Sequence, residues 1–274
     1  PTGGQIIQGS GQISQAGNTL TINQGSQQLI TNWNSFDVGA NATVTFNQPN
    51  VNSAALNRVL DSKPSEVFGQ INANGQVFLI NPNGILFGSS AQVNVGALVA
   101  SSLDLTDADF MNGNYQFSQA NAIGTITNDG RIITANGGVV AFVGNSVTNN
   151  GSIETPNGST ALVAGDKVTL DFTGDGLINI EVDSSTLSGR VTNSGEITAE
   201  GGMIILSADA ADRAMAGVVN NSGLVQANSL VERDGKIILE AGYVDNSGTL
   251  DVSSELATGG TIVATGDRVM IGAG

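Results

Sequence analysis

The chain has 274 residues, with 9 Lys and Arg against 24 Asp and Glu, a formal charge of −15, 40% hydrophobic residues and 37 glycines. Without any His or Cys it holds no Ser-His or Cys-His nucleophile, no disulfide, and no zinc, haem or iron–sulfur ligation of the usual His or Cys kind. The acidity argues against a phosphate-backbone binder or an anionic membrane surface, because both need clustered Lys and Arg.

In chain order, residues 1–45 come first. Gln5 to Ile13, Thr19 to Gln24 and Thr43 to Phe46 alternate apolar with small polar side chains, the pattern of a half-buried antiparallel sheet. The first coil of a solenoid is an aggregation-prone edge, and this segment is expected to cap it. Trp33 and Phe36 have the bulk to plug the open core end, and for Trp33 packing is favoured over ligand stacking. Residues 46–106 are expected to form the first coils. Within them Asn81-Pro82-Asn83-Gly84 separates the apolar runs 77–80 and 85–87. Pro sets φ at the second turn position, the first Asn caps the turn through its side chain, and Gly accepts positive φ, so a tight turn between buried strands is predicted. Residues 1–100 carry only Asp37, Arg58, Asp61, Lys63 and Glu66 as charged groups, so nearly all of the net charge lies beyond them. Residues 107–122 interrupt the pattern and predict a loop or β-hairpin excursion.

Residues 123–274 repeat. Asn-x-Gly recurs at Asn128-Asp129-Gly130, Asn149-Asn150-Gly151, Asn193-Ser194-Gly195, Asn221-Ser222-Gly223 and Asn246-Ser247-Gly248. Each is followed by a short alternating stretch, a second glycine and a compact apolar run such as Val139-Val140-Ala141-Phe142-Val143. Each unit reads as turn, strand, turn, strand, with the Asn-x-Gly glycine expected at positive φ. Such strands bury an apolar face only by stacking, and stacked turns place Asn above Asn, where amides can bond along the axis. The predicted fold is all-β, a right-handed parallel β-helix with an amino-terminal β cap and short extra-helical hairpins. Residues 167–182 read as two strands around Thr173-Gly174-Asp175-Gly176, either another coil or a hairpin standing off the helix. The chain has no initiator Met and stops within the repeats, which reads as a processed or cut fragment.

Carboxylate pairs are the remaining enzymatic candidates. Glu181 and Asp183, Asp107 and Asp109, and Asp171 and Asp175 are close in sequence, but solvated carboxylates on a solenoid's outer face are the simpler expectation. Gly174-Asp175-Gly176 is a turn rather than a calcium repeat. Asn41, Asn150, Asn157 and Asn220 head Asn-x-Ser/Thr sequons, a number expected by chance in this composition.

Five motifs follow in order: Trp33-Asn34-Ser35-Phe36-Asp37-Val38-Gly39, Phe46-Asn47-Gln48-Pro49-Asn50, Ala55-Leu56-Asn57-Arg58-Val59, the stretch 78–88 around Asn81-Pro82-Asn83-Gly84-Ile85, and the stretch 95–103. The series resembles the amino-terminal secretion domain, or haemagglutination activity domain, of two-partner secretion exoproteins, similar to filamentous haemagglutinin and the high-molecular-weight adhesins. Asn47-Gln48-Pro49-Asn50-Val51 stands where some members carry Asn-Pro-Asn-Leu, and cysteines found near this place in some relatives are absent. The resemblance implies a secreted or cell-surface adhesin-like exoprotein of a Gram-negative bacterium. Its implied partner is a POTRA-bearing outer-membrane β-barrel transporter, reached through the periplasm and crossed unfolded. It singles out Asn81, Pro82, Asn83, Gly84 and Ile85, with Asn47, Gln48, Pro49, Asn50, Asn57 and Arg58, as secretion or folding residues. For residues 81–84, fold nucleation and direct transporter contact both stay open. The alternative function is a glycan- or matrix-polysaccharide-binding adhesin module, and a polysaccharide lyase or hydrolase is a third. No enzyme activity, cofactor, metal or nucleic acid is expected, and the chain is expected to be a monomer.

Overall fold

A computed structural model describes residues 1–118, 124–172, 178–183, 189–208, 217–228, 235–254 and 258–272. Its described elements are short strands and one helix, arranged as a parallel β-helix with three strands per coil. One ten-stranded sheet runs from Gln5–Gln8 through Gln28–Trp33, Ala54–Val59, Gln76–Ile80, Ala97–Ser101, Val139–Gly144 and onward to Thr261–Thr265. A second ten-stranded sheet runs from Gly11–Ala16 to Thr249–Asp251, and an eight-stranded third from Ser65–Val67 to Arg268–Ile271.

Inward side chains stack in columns. Ile71, Val93, Ile132, Ile153, Ile197 and Val225 lie in register along the second sheet, all buried. β-Branched residues suit this pleated surface, and each coil covers the apolar face that its neighbour cannot bury alone.

Within the three sheets of the coils, only the first two strands pair antiparallel, Gln5–Gln8 against Gln28–Trp33 and Gly11–Ala16 against Thr19–Gln24. Thr19–Gln24 pairs in parallel with Thr43–Asn47, so the antiparallel sheet expected over residues 1–45 gives way to the first coil at Thr19. Alternation reports one buried face and is the same in both pairings, which is why the pattern could not separate them.

The Asn-x-Gly turns stack as expected, but for a different reason than positive φ. Gly130, Gly151, Gly195, Gly223 and Gly248 do not have positive φ. A Cβ at Gly151 would instead strike the carbonyl of Gly130 one coil away, and one at Gly195 that of Gly151. Close approach, not handedness of the backbone, selects glycine here. The preceding asparagines are buried and bond along the axis: Asn128 Nδ2 donates to Asn149 Oδ1 at 2.8 Å, Asn149 to Asn193 at 2.8 Å, Asn193 to Asn221 at 2.8 Å and Asn221 to Asn246 at 2.7 Å.

The two interruptions form one body outside the coils. Asp104–Leu105 pairs antiparallel with Tyr115–Ser118, which pairs with Lys167–Phe172, which pairs with Ile178–Asp183. Of the two alternatives for residues 167–182, the hairpin is therefore the one formed; its turn at 173–177, with the Thr-Gly-Asp-Gly, lies outside the described residues, as do 119–123. Within residues 107–122, expected as a loop or β-hairpin excursion, Asp107–Asn112 form a helix between the antiparallel strands Asp104–Leu105 and Tyr115–Ser118. Thr106 caps it by accepting from the Asp109 amide, Asp109 returns a contact to the Thr106 hydroxyl, and Gly113 closes it at φ 73°. This outer sheet and helix cover the outward face of the first ten-stranded sheet, making a second core of Leu56, Phe78, Val99, Leu105, Phe110, Phe117, Ala141 and Val168 among others.

Candidate functional site

The motif residues spread over the first four coils, and the structure brings them together in three separate networks. The first is the turn at residues 81–84. Asn81 is fully buried; its Oδ1 accepts from the Asn83 amide at 3.0 Å, and its carbonyl accepts from the Gly84 amide at 2.9 Å. Its Nδ2 reaches across to the preceding coil, donating to Lys63 O at 2.9 Å and Ser65 Oγ at 3.1 Å, while Asn83 Nδ2 donates to Asp61 O at 2.9 Å. On the other side Gly124 N donates to Pro82 O at 3.0 Å and Ile85 N to Thr125 O at 2.9 Å. Gly84 has φ 109°, and a Cβ there would crowd Thr125. The turn is braced from both neighbouring coils, with Pro82 and Asn83 half-buried and Ile85 in the main core.

The second network lies at residues 47–50. Asn47 and Pro49 are exposed, and Asn47 bonds Asn23 at 2.8 Å. Gln48 is buried, its Nε2 donating to Gln24 Oε1, Ser53 O and Gln76 O, while its Oε1 accepts from Gly75 N at 2.9 Å. Asn50 and Gln27 exchange amide hydrogen bonds of 2.9 and 3.2 Å at the surface. Buried amides are costly unless satisfied, and Gln48 has its donors and acceptor engaged.

The third joins the core to the outer body. Trp33 and Phe36 meet edge to face at 5.6 Å, both about 1% exposed, and Asn57 is buried beside them. On the opposite face of the same strand Arg58 donates to Asp104 at 3.2 Å, Asp107 at 2.6 Å and Leu105 O at 2.6 Å. Adjacent residues on a strand point to opposite faces, so Asn57 serves the inner core and Arg58 the outer one.

The sequence pattern did not reveal the partners of these residues: Gln24, Ser65, Asp104, Asp107 and the backbone of residues 61–63 and 124–125. They lie one coil or an excursion away. One signal was available: Thr106-Asp107-Ala108-Asp109 followed by Gly113 is a capped short helix.

Of the three carboxylate pairs, only Asp107 and Asp109 lie wholly among the described residues, and each is engaged in the fold. Asp107 binds Arg58, and Asp109 caps the helix. Glu181 is exposed, whereas the Asp183 side chain and Asp175 lie outside the description. No cluster of potential metal ligands forms among the described residues, and no described helix is long and apolar enough to cross a membrane. Eight of the twelve aromatic side chains are fully buried, and Tyr115 and Phe172 pack on each other and on Phe78, leaving no exposed aromatic row. Burial raises the Tyr115 pKa above its usual 10.0, while hydrogen bonds from Ser253, then Asn228 and Gln226, hold the Asp251 carboxyl below its usual 3.8.

A capped β-helical solenoid with braced turns, rather than a cleft with reactive groups, is the class that this fold and these networks define. The chain belongs to the TPS secretion domain family, which matches residues 1–252. Over its full length it superposes on 72% of the crystal structure of the HMW1 secretion domain from Haemophilus influenzae, with a TM-score of 0.87 and 33% identity. It is also similar to two heme/hemopexin-binding proteins of Haemophilus influenzae, 34% identical over 90% of this chain and 32% identical over 88%. The chain spans only 28% and 27% of those relatives. Domains of this family serve the secretion of large exoproteins across the Gram-negative outer membrane, through a dedicated transporter.

Proposed function

We propose that residues 1–118 act as the template on which the exported chain folds, and that the turn at 81–84 serves secretion through folding rather than by touching the transporter. The bonding of Asn81 carries this reading: its buried amide joins Lys63 O and Ser65 Oγ of the preceding coil and accepts from the Asn83 amide, so the side chain has a structural task in the fold that contact with a transporter would not require. The partner is a POTRA-bearing outer-membrane barrel, which the chain crosses unfolded before stacking coil by coil outside. Sparse charge in the first hundred residues and the lack of disulfides suit a chain that is threaded and then folded. Trp33, Phe36 and the Gln24–Gln48 amides close the first coils.

The whole exoprotein is adhesin-like in this reading. The binding named for the heme/hemopexin relatives is assigned to parts outside this segment, since the chain has neither His nor Cys for the usual haem ligation. The test is Asn81→Ala in the chain fused to a passenger. Secretion with the cognate transporter and refolding of the purified chain are measured side by side. Refolding and secretion should fall together. Normal refolding with abolished secretion would instead make the turn a transporter contact.

A further inference from the structure

Six Asn-Gly pairs occur in the chain, at 74–75, 83–84, 112–113, 136–137, 150–151 and 157–158. Such pairs can convert without an enzyme. The glycine nitrogen attacks Asn Cγ and a C–N bond forms; the side-chain nitrogen leaves as ammonia, taking the proton that the backbone nitrogen loses. Water then opens the succinimide at one of its two carbonyls, leaving aspartate or isoaspartate. The reaction needs a carboxamide free to turn, a nitrogen that can leave its hydrogen bond, and space for the ring.

The fold withholds at least one of these conditions at five of the six pairs. Asn74 both donates to and accepts from the Gln48 backbone, at 2.9 and 2.8 Å. Asn83 is tied to Asp61 O at 2.9 Å inside the braced turn. Asn150 donates to Asp129 at 2.8 Å and accepts from Ser194 at 2.7 Å. Asn136 and Asn157 hold each other at 2.7 Å, and the nitrogen of Gly137 is fixed to Pro156 O of the next coil at 2.7 Å.

Asn112 differs in its side chain and in its glycine nitrogen, and among the six pairs it shares open space at the glycine only with 136–137. It is exposed at the last position of the helix Asp107–Asn112, and its side chain bonds no described residue. Gly113 N bonds only within the same helix, to Asp109 O and to Phe110 O, the latter at 3.1 Å, and a Cβ on Gly113 would meet nothing within 4 Å. A six-residue helix opens readily at its end, so the geometry that blocks attack is the least durable of the six. We propose that Asn112 is a self-modification site, the position at which this chain deamidates first.

The product changes the outer body. A carboxylate at the helix C-terminus faces the negative end of the dipole, on a helix that already carries Asp107 and Asp109 and has no basic residue in its last turn. Isoaspartate also lengthens the backbone by one carbon at the Gly113 cap. Both loosen the helix that seats Phe110 against Phe78, 5.3 Å between ring centres.

The test is incubation of the full chain at mildly alkaline pH, followed by peptide mapping with fragmentation that separates aspartate from isoaspartate. Conversion at Asn112 is expected several-fold ahead of the other five, and the gap should close when the incubation is repeated in denaturant. A different pair leading in the folded chain, or no conversion at Asn112, overturns the proposal. The same ranking in denaturant overturns it too, because the fold would then not be what selects the site.

Discussion

The indole Nε1 of Trp33 donates to Asn57 Oδ1 at 2.9 Å inside the first coils, with both side chains about 1% exposed. Asn57 Nδ2 donates onward to the carbonyls of Ala55 and Phe78, each at 3.2 Å, so one amide links three consecutive coils and holds the plug in place. Asn57→Leu keeps the volume but leaves the indole N–H unpaired in the core. A loss of about 1–3 kcal/mol is expected from chemical unfolding. Trp33 is the only tryptophan, so its emission in the folded variant reports directly on whether the plug has shifted.

Arg58 ties the outer body to the coils. Its side chain is 16% exposed, while Asp104 and Asp107 are 43% and 40% exposed, so solvent weakens the ionic part and the bond to Leu105 O counts as much. Arg58→Met should cost about 1–2 kcal/mol and speed hydrogen exchange over residues 104–118 more than over 126–149. Arg58→Lys should recover little, because one ammonium cannot span three diverging acceptors. Uniform exchange changes along the chain would contradict a local clasp.

The asparagine ladder makes a graded prediction. Asn193→Ala removes an acceptor from Asn149 and a donor to Asn221, both buried. The expected cost is about 1–3 kcal/mol. Ser194→Ala, one residue on at the exposed rim, loses only a surface bond to Asn150 and should stay within about 0.5 kcal/mol of the parent. Equal losses for the two variants would mean that the buried ladder adds nothing special.

Two titrations make stability depend on pH in opposite senses. Tyr115 is held neutral by burial, so its folded pKa lies above the unfolded value near 10.0. Below that value it adds no pH dependence; above it the unfolded chain loses the proton first and stability falls. Tyr115→Phe should remove part of the alkaline loss in unfolding curves taken on both sides of pH 10. Asp251 has the opposite sign. Its pKa is depressed in the fold, so its contribution is present above about 3.8 and lost as pH falls through the folded value. Asp251→Asn should flatten the acid limb, and an unchanged limb would exclude the Ser253 hydrogen bonds as its source.

The coils were legible because their signals are local. Asn128 to Gly130 and its four copies mark each turn, and the alternating stretches between them mark one buried face. Glycine at Gly151 was read correctly as a turn residue but for the wrong cause, since contact with Gly130 O exists only once two coils are stacked. The short helix was missed because the capping signal at Thr106 competed with a segment too short for helical periodicity.

By itself the sequence determined the period, the strand faces, the turn chemistry at Asn81-Pro82-Asn83-Gly84 and the family that the ordered motifs identify. These follow from nearest-neighbour sterics and from which residues tolerate water. Tertiary structure alone decided that Thr19–Gln24 opens the parallel stack and that Arg58 faces Asp104 and Asp107. It also decided that Tyr115–Ser118 finds Lys167–Phe172. Those pairings join residues some 25 to 55 positions apart, where loop entropy depends only weakly on length. Many partners were therefore close in entropic cost, and the choice among them fell to burial, of Leu20 and Ile22 in the main core and of Leu105, Phe117 and Val168 in the second.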